Sequence, residues 1–337
     1  MKLLLRARQL HAITRLCNRS PSVEPRNRPV AYASTNNNRP QRAKPTPQQI
    51  LPKMSATPVQ QLLEPLAGAS PSSATSDDAV QAAVQGFNDL AQQQYRPHQQ
   101  QDQEQEQKQD GGDNTATAAG AASSALGDFL WDAFGAVFKA VGRTPAAQQG
   151  KLLDFLTQLQ AIKATDNDGK TLKHEDGEVW NDLPSFGWVA RDLWNFDANN
   201  LSAEDRAKVE NWTAFLAQLT ARSASGATDS PFDFSTFALW AMRDAFETNQ
   251  QGAASQPAAR LAALWVRFAG DRLRQLSIDA TALSGRLGAP AGKYAEREWK
   301  GFNEDRWNAW GEELKAAQNQ YASDDTIEQA VKHVVGL

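Results

Sequence analysis

The sequence predicts an all-α fold: a single helical bundle of about seven or eight helices preceded by a largely disordered N-terminal region. Apolar residues after position 121 recur at steps of three and four, which is the helical period. Alternating apolar and polar runs rich in Val, Ile and Thr, which would indicate strands, are missing from the same region. All ten Trp residues lie between Trp131 and Trp310. Because large aromatic side chains contribute most of the buried apolar area of a core, we expect a single hydrophobic core in this region.

The N-terminal segment differs from the rest in charge. Residues 1–53 carry eleven Lys and Arg against the single acid Glu24, so the remainder carries about −14 in a chain whose net charge is −4. Basic helical faces without acids are typical of organelle transit peptides, and a disordered extension before Met54 is the alternative. We expect a mitochondrial location if residues 1–53 act as a transit peptide, and otherwise a cytoplasmic or nuclear one.

Residues 54–120 are predicted to be disordered with one helix, at 77–95, and a Gln-rich linker. Gln occupies ten of the eighteen positions from 92 to 109, a composition typical of solvated spacers. The all-helical domain is predicted at 121–337. Its first helix follows from the apolar stripe at 126–141.

The next helices follow from cap and turn residues. Thr144 before a proline predicts the capped start of a second helix in the domain. A short helix is expected at 186–194, and Ser202 with Asp205 forms a capping box for the helix after it. Residues 232–246 are apolar on most sides, which predicts a helix at the centre of the bundle.

Three further apolar stripes complete the bundle. One at 261–276 predicts a helix that starts after a Ser-Gln-Pro turn. A long helix is predicted to begin before Trp299 and to run to Tyr321. Asp325 and Glu328 are predicted to cap the last helix.

Several classes of chemistry are excluded by residue content. A single Cys, Cys17, rules out a disulfide framework, and four scattered His form no metal-ligand cluster. The acidic loop at 166–169 does not match the calcium-loop register, so we predict no metal and no cofactor. No nucleophile motif or phosphate loop is found, and no run of about 18 apolar residues predicts a transmembrane segment.

Charge argues against a nucleic-acid partner. The chain after residue 53 is acidic, whereas phosphate binding needs clustered Lys and Arg. Five Lys and Arg positions between 260 and 286 are close in sequence, but interleaved acids predict a solvated helix face there.

Trp and Arg residues one helical turn apart give the candidate site. Such pairs are also favoured where proteins bind partners. The candidate ligand or partner pocket comprises Trp188, Arg191, Trp240, Arg243, Asp244 and Arg267. The alternative is that the Trp residues pack in the core and the Arg residues form internal ion pairs, such as Arg243 with Glu247.

Three phrases of the sequence resemble a known family. They occupy Val179–Asn195, Phe234–Ala245 and Trp265–Gly270, and the resemblance extends over about 125–318. These phrases resemble the fungal proteins grouped as domain of unknown function 3632. The resemblance implies a helical fold, and it implies no activity, cofactor or site residue, because the family has none assigned.

Two function classes therefore stay open. The first is a soluble helical interaction or scaffold protein, whose partner would be a protein. The second is a helical small-molecule-binding protein or enzyme with a pocket lined by the Trp and Arg residues. No catalytic residue is predicted for either.

Overall fold

A computed structural model describes residues 57–68, 75–106, 115–166, 168–223, 230–248 and 254–336 of the chain. The basic extension predicted at 1–53 lies outside these ranges. Within them the chain forms ten α-helices: α1 (Pro58–Leu63), α2 (Thr75–Glu106), α3 (Thr115–Gly142), α4 (Gly150–Ala161), α5 (Phe186–Leu193), α6 (Ala203–Arg222), α7 (Ser235–Phe246), α8 (Gln256–Ile278), α9 (Glu304–Gln320) and α10 (Asp325–Gly336).

Other regular structure is short. Two antiparallel strands, β1 (Lys173–His174) and β2 (Gly177–Glu178), form one hairpin. Single turns of 3-10 helix occur at Glu64–Leu66, Ala146–Gln148, Ala198–Asn200, Gly285–Leu287 and Gly292–Tyr294. The predicted all-α class is thus confirmed, and α3 to α10 are the predicted seven or eight helices. No helix in the described ranges combines the length and the apolar character needed to cross a membrane.

The N-terminal helices belong to the same core as the rest. Helices α1 and α2 both pack against α3, and Phe87 of α2 meets Phe155 of α4 with ring centroids 4.7 Å apart. Lys151 Nζ also lies 2.6 Å from Asp77 Oδ1. The boundary placed at residue 121 falls inside α3, which begins at Thr115.

The Gln-rich stretch differs from its prediction as a linker. Helix α2 continues through most of it, to Glu106, and only 107–114 separate α2 from α3 and lie outside the described residues. Gln favours helical backbone almost as well as Lys or Glu. A Gln-rich composition therefore does not end a helix that the apolar stripe before it has already nucleated.

Helix α8 lies at the centre of the bundle. It packs against α6, α7, α9 and α10, and its buried positions include five alanines and one glycine that allow close approach. The predicted central helix, α7, is buried over eight of its twelve residues but packs chiefly against α8. Helix α8 is longer than α7 and has small buried side chains, and both properties allow it to contact more neighbouring helices.

Of the three predicted N-caps, the structure confirms one and shows that two are wrong. The Ser202 hydroxyl accepts a hydrogen bond from the Asp205 N–H at the start of α6, so the predicted cap is present. In place of the reciprocal bond of a capping box, the Asp205 carboxylate accepts a hydrogen bond from the Ser202 hydroxyl. Thr144 is not a cap, because its hydroxyl donates to the Ala140 carbonyl. At α10 the cap is Asp324, one residue before the predicted Asp325.

Trp299 lies outside any helix, contrary to the prediction. Helix α9 begins at Glu304, where the Asn303 side chain accepts a hydrogen bond from the Arg306 N–H. The segment before it is anchored by backbone hydrogen bonds from Leu283 to Lys300 and from Phe302 to Thr281. An indole in an irregular segment can be buried as well as one on a helix, so its presence does not extend a helix.

Candidate functional site

Helices α5 and α7 bring two of the predicted site residues into contact. The guanidinium carbon of Arg191, near the end of α5, lies 5.2 Å from the centroid of the Trp240 ring on α7. Both residues are partly exposed. The pair has the geometry of a cation–π contact, which holds Arg191 against the indole face.

Aromatic rings continue from Trp240 along the molecule. Phe237 lies 5.2 Å from Trp240 and 5.2 Å from Trp194, and Trp194 lies 5.3 Å from Phe196, between ring centroids. Phe237 is 7% exposed, while the other three residues are partly exposed. We call these four residues with Arg191 the aromatic surface.

The aromatic surface rests on a rigid base. Trp265 of α8 is completely buried, and its ring lies 6.3 Å from that of Trp194 at 61°. Its indole N–H has no hydrogen-bond acceptor in the described part of the chain. A fully buried indole packed against Trp194 restricts the positions open to the Trp194 ring.

Two carboxylates lie at the border of this surface. Asp244 follows Trp240 by one turn of α7, and Asp197 directly follows Phe196. Both are exposed as residues. Protein atoms packed around the Asp244 carboxyl raise its pKa, the charge of Arg243 acts against this, and the charge of Asp197 adds to it.

Arg243 is directed towards a neighbouring loop. Its Nη1 donates to the backbone oxygens of Leu287 and Arg286 at 3.3 and 3.4 Å. The guanidinium of Arg267 lies 4.8 Å from the Phe268 ring, on the exposed side of α8. Among the hydrogen bonds, ion pairs and ring contacts of the described residues, none joins Arg267 or the partly exposed Trp188 to the aromatic surface. The structure thus brings Arg191 and Trp240 together, and a pocket shared by all six residues stays a prediction.

Glu247, the partner that the alternative prediction gives to Arg243, binds a different arginine in the structure. Its carboxylate binds Arg306, through hydrogen bonds from Nε at 2.8 Å and Nη2 at 3.0 Å. The Trp310 indole N–H donates to the same carboxylate at 2.8 Å. The other Arg306 donors meet the carbonyls of Gly288, Gly301 and Ala289.

This buried pair is a structural element of the fold. Every donor of the Arg306 guanidinium is used, and both charged side chains are completely buried. A residue whose groups are all engaged and excluded from solvent has no capacity left for substrate. The available sequence signal was weak: Arg306 precedes Trp310 and Leu314 at steps of four on the buried side of α9.

A separate groove of about 330 Å³ lies between α6 and the start of α8. Its lining residues are Ala203, Arg206, Ala207, Glu210, Gln256, Pro257 and Arg260. Arg260 is already engaged there by both Glu210 oxygens, at 2.7 and 2.8 Å, and by Asp324 at 2.8 Å. The groove contains none of the six predicted residues.

Possible metal ligands do not cluster in the described ranges. These ranges contain no group of three or more His, Cys, Asp or Glu side chains placed to hold an ion. The Asp166 carboxylate accepts hydrogen bonds from the N–H groups of Asp168 and Lys170, so it caps a turn.

The comparisons with known proteins return one family. The model of the family described as "Protein of unknown function (DUF3632)" matches residues 131–314, which is more than half of the chain. The match runs from α3 to α9 and includes the whole aromatic surface. Among curated proteins and among solved structures, no significant match is found.

Proposed function

The chain belongs to the DUF3632 family, and from its geometry we propose that it is a helical interaction module that binds a protein partner through the aromatic surface. The observation that carries this proposal is the unbroken contact from Phe196 through Trp194 and Phe237 to Trp240, three of whose rings are partly exposed. Contiguous exposed aromatic residues on a folded domain are typical of binding surfaces.

The residue types fit recognition of a protein. Trp and Arg dominate the residues that contribute most to binding, and Arg191 over Trp240 supplies both side by side. A partner that covers these rings would remove apolar area from water at about 25 cal/mol per Å².

Preorganisation supports the same proposal. Trp240 lies on helix α7 and Trp194 caps the end of α5, so little backbone ordering is needed on binding. Trp265, packed against Trp194, limits the freedom of that ring further. Less conformational entropy is then lost when a partner docks.

The small-molecule alternative has less support. A ligand pocket would need Arg191, Arg243 and Asp244 to converge on one cavity. Arg243 instead reaches the carbonyls of the 285–287 turn, and the 330 Å³ groove is lined by other residues. The aromatic rings pack against one another.

A peptide selection tests the proposal although the partner is unidentified. The purified chain is used to select binders from a phage-displayed random peptide library, and each binder is titrated against variants. We expect Trp240→Ala to weaken selected peptides by at least tenfold, the effect of a residue worth about 1.4 kcal/mol or more. Arg191→Ala should weaken the same peptides.

Trp131→Ala is the matched control. Trp131 is 42% exposed on α3 and is not part of the aromatic surface, so its loss should leave these peptides bound with unchanged affinity. Circular dichroism confirms that each variant is folded. If every selected peptide binds Trp240→Ala as tightly as the unaltered chain, the proposal is wrong.

A further inference from the structure

Arg191 has no acidic partner among the described residues. Its guanidinium carbon lies 5.2 Å from the centroid of the Trp240 ring, and within the described part of the chain its N–H groups make no hydrogen bond or ion pair. A guanidinium has five N–H donors. Arg306, in contrast, uses all of its donors inside the fold. The donors of Arg191 are therefore available to a ligand.

The two indoles of the aromatic surface also have available donors. Neither Trp194 nor Trp240 has an acceptor for its indole N–H among the described residues, and both nitrogens reach solvent. The indole N–H groups of Trp180, Trp212 and Trp310 instead donate to acceptors inside the fold. The polar side-chain groups of the aromatic surface are thus all donors.

A docked partner would remove these donors from water. Burial of a charge without a counter-charge is strongly unfavourable, and burial of an unpaired N–H is unfavourable to a smaller degree. A partner that covers Trp240 also contacts Arg191, because the guanidinium lies over that ring. The covering segment therefore needs acceptor oxygens, and next to Arg191 it needs a negative charge.

We propose that the partner segment is apolar with a single Asp or Glu, whose carboxylate pairs with Arg191 while the flanking apolar side chains cover Trp194 and Trp240. This inference rests on the proposed function, because it specifies the chemistry of the segment that the aromatic surface binds. Arginine suits this pairing, since two of its N–H groups can bind both oxygens of one carboxylate. The contact with Trp240 restricts the Arg191 side chain, so less conformational entropy is lost when the pair forms.

The charges next to the aromatic surface limit the partner to one acid. Asp192, Asp197 and Asp244 are exposed, and each follows a residue of the aromatic surface directly or by one helical turn. Like charges placed across an interface oppose binding, so these carboxylates disfavour a segment that carries a run of acids. A single carboxylate in contact with Arg191 gains an ion pair, and the apolar residues around it add no further negative charge.

Peptides selected on the purified chain test this inference when they lose affinity for Trp240→Ala. Such peptides should share one Asp or Glu beside apolar residues. Arg191→Gln, which keeps N–H donors but removes the charge, should weaken such a peptide about tenfold, as for a charge pair at an interface. The same substitution should have little effect on that peptide with Gln in place of its acid, because the charge pair is then already absent.

Charge reversal provides a gain that misfolding cannot mimic. Selection on Arg191→Glu should yield peptides with Lys or Arg at the position where the unaltered chain selects Asp or Glu. The matched control is Arg206→Glu, at an exposed arginine of α6 that also has no ion pair within the described ranges and is not part of the aromatic surface. This variant should keep the preference for an acid.

The outcomes separate the two proposals. If peptides depend on Trp240 but share no acid, or bind Arg191→Gln with unchanged affinity, the aromatic surface stands and the acidic partner is wrong. If no peptide depends on Trp240, the proposed function fails and the acidic partner fails with it.

Discussion

The Glu247 carboxylate and the Arg306 guanidinium are completely buried and are joined by hydrogen bonds of 2.8 and 3.0 Å. They connect the end of α7 to the start of α9. Glu247 Oε2 also accepts from the Ala291 N–H, and Arg306 binds carbonyls on both sides of the intervening segment. The pair therefore holds α7, which carries Trp240, in a fixed relation to the 285–303 segment.

Removing one member of this pair should destabilise the protein strongly. Arg306→Met leaves the Glu247 carboxylate buried without its counter-charge, and losses of about 3–5 kcal/mol are typical of that situation. Urea denaturation followed by circular dichroism measures the change in the free energy of unfolding.

The control for this prediction is an arginine at the surface. Arg297 lies 3.5 Å from Asp305, and both side chains are more than half exposed. Arg297→Met should change the free energy of unfolding by less than about 1 kcal/mol. Equal effects of Arg297→Met and Arg306→Met would show that burial of the Glu247–Arg306 pair has no special role.

Two glycines should respond oppositely to alanine. Gly292 has φ +49°, and a Cβ there would lie within van der Waals overlap of the Glu247 carbonyl oxygen, so Gly292→Ala forces the backbone to move. Gly187 lies exposed in α5 with open space where its Cβ would be. Gly187→Ala should stabilise by about 0.5–1 kcal/mol because alanine favours helix.

Thermal unfolding of the two variants measures this contrast. The melting temperature should fall for Gly292→Ala and rise by a few degrees for Gly187→Ala, about 2–4 °C per kcal/mol for a protein of this size. A rise for both variants would mean that the chain near Gly292 relaxes at little cost.

The sequence was sufficient to predict the helices because each has an apolar stripe that must be buried. It was insufficient for polar side chains inside the core. Arg272, expected on a solvated helix face, has a side chain only 7% exposed that lies 3.6 Å from the equally buried Asp233. Periodicity cannot distinguish such an arginine from a solvated one, because the difference depends on a partner 39 positions away in the chain.

The candidate site was predicted only in part for a similar reason. Arg191 and Trp240 are identified by their residue types and meet in the structure, although they belong to different helices. The sequence places Trp194 in an apolar stripe and Phe196 in the loop that follows. Their place beside Phe237 follows from how α5 ends against α7, which is a property of tertiary packing and not of local spacing.

Asp324 should make stability depend on pH. Burial acts to raise its pKa, but hydrogen bonds from Arg260 and Gln256 outweigh burial and lower it below the usual value. A carboxyl with a lowered folded-state pKa stabilises the protein above the unfolded-state pKa of about 3.9. That stabilisation is lost as the pH falls through the folded-state pKa.

Asp324→Asn isolates this contribution. The variant keeps an oxygen that can accept the N–H groups at the start of α10 but loses the charge that binds Arg260. We expect a cost of about 2 kcal/mol at pH 7, as for hydrogen bonds to charged groups, and a smaller cost at about pH 3 and below. If Asp324→Asn lowers the free energy of unfolding by the same amount at about pH 3 as at pH 7, the Asp324 carboxylate does not stabilise the protein through its charge.

Tyr294 should ionise at a higher pH than a tyrosine exposed to solvent. Burial first, and then the hydrogen bond that its hydroxyl donates to Glu313 Oε1 at 3.0 Å, raise its pKa to about 12. An acid with a raised folded-state pKa stabilises the protein below its unfolded-state pKa of about 10. This contribution is lost as the pH rises from about 10 to about 12.

Tyrosinate absorbance after a rapid pH jump, recorded before unfolding, measures this ionisation. The chain has four Tyr, so about one tyrosine should ionise near pH 12, and this high-pH component should be absent from Tyr294→Phe.

Glu313→Gln removes the neighbouring negative charge and should shift the high-pH component towards pH 10. Because Lys293 Nζ also binds Glu313 at 2.6 Å, the same variant should weaken the attachment of the Gly292–Tyr294 turn to α9. If Tyr294→Phe instead removes a component that ionises near pH 10, the Tyr294 hydroxyl is exposed to solvent, and its hydrogen bond to Glu313 is wrong.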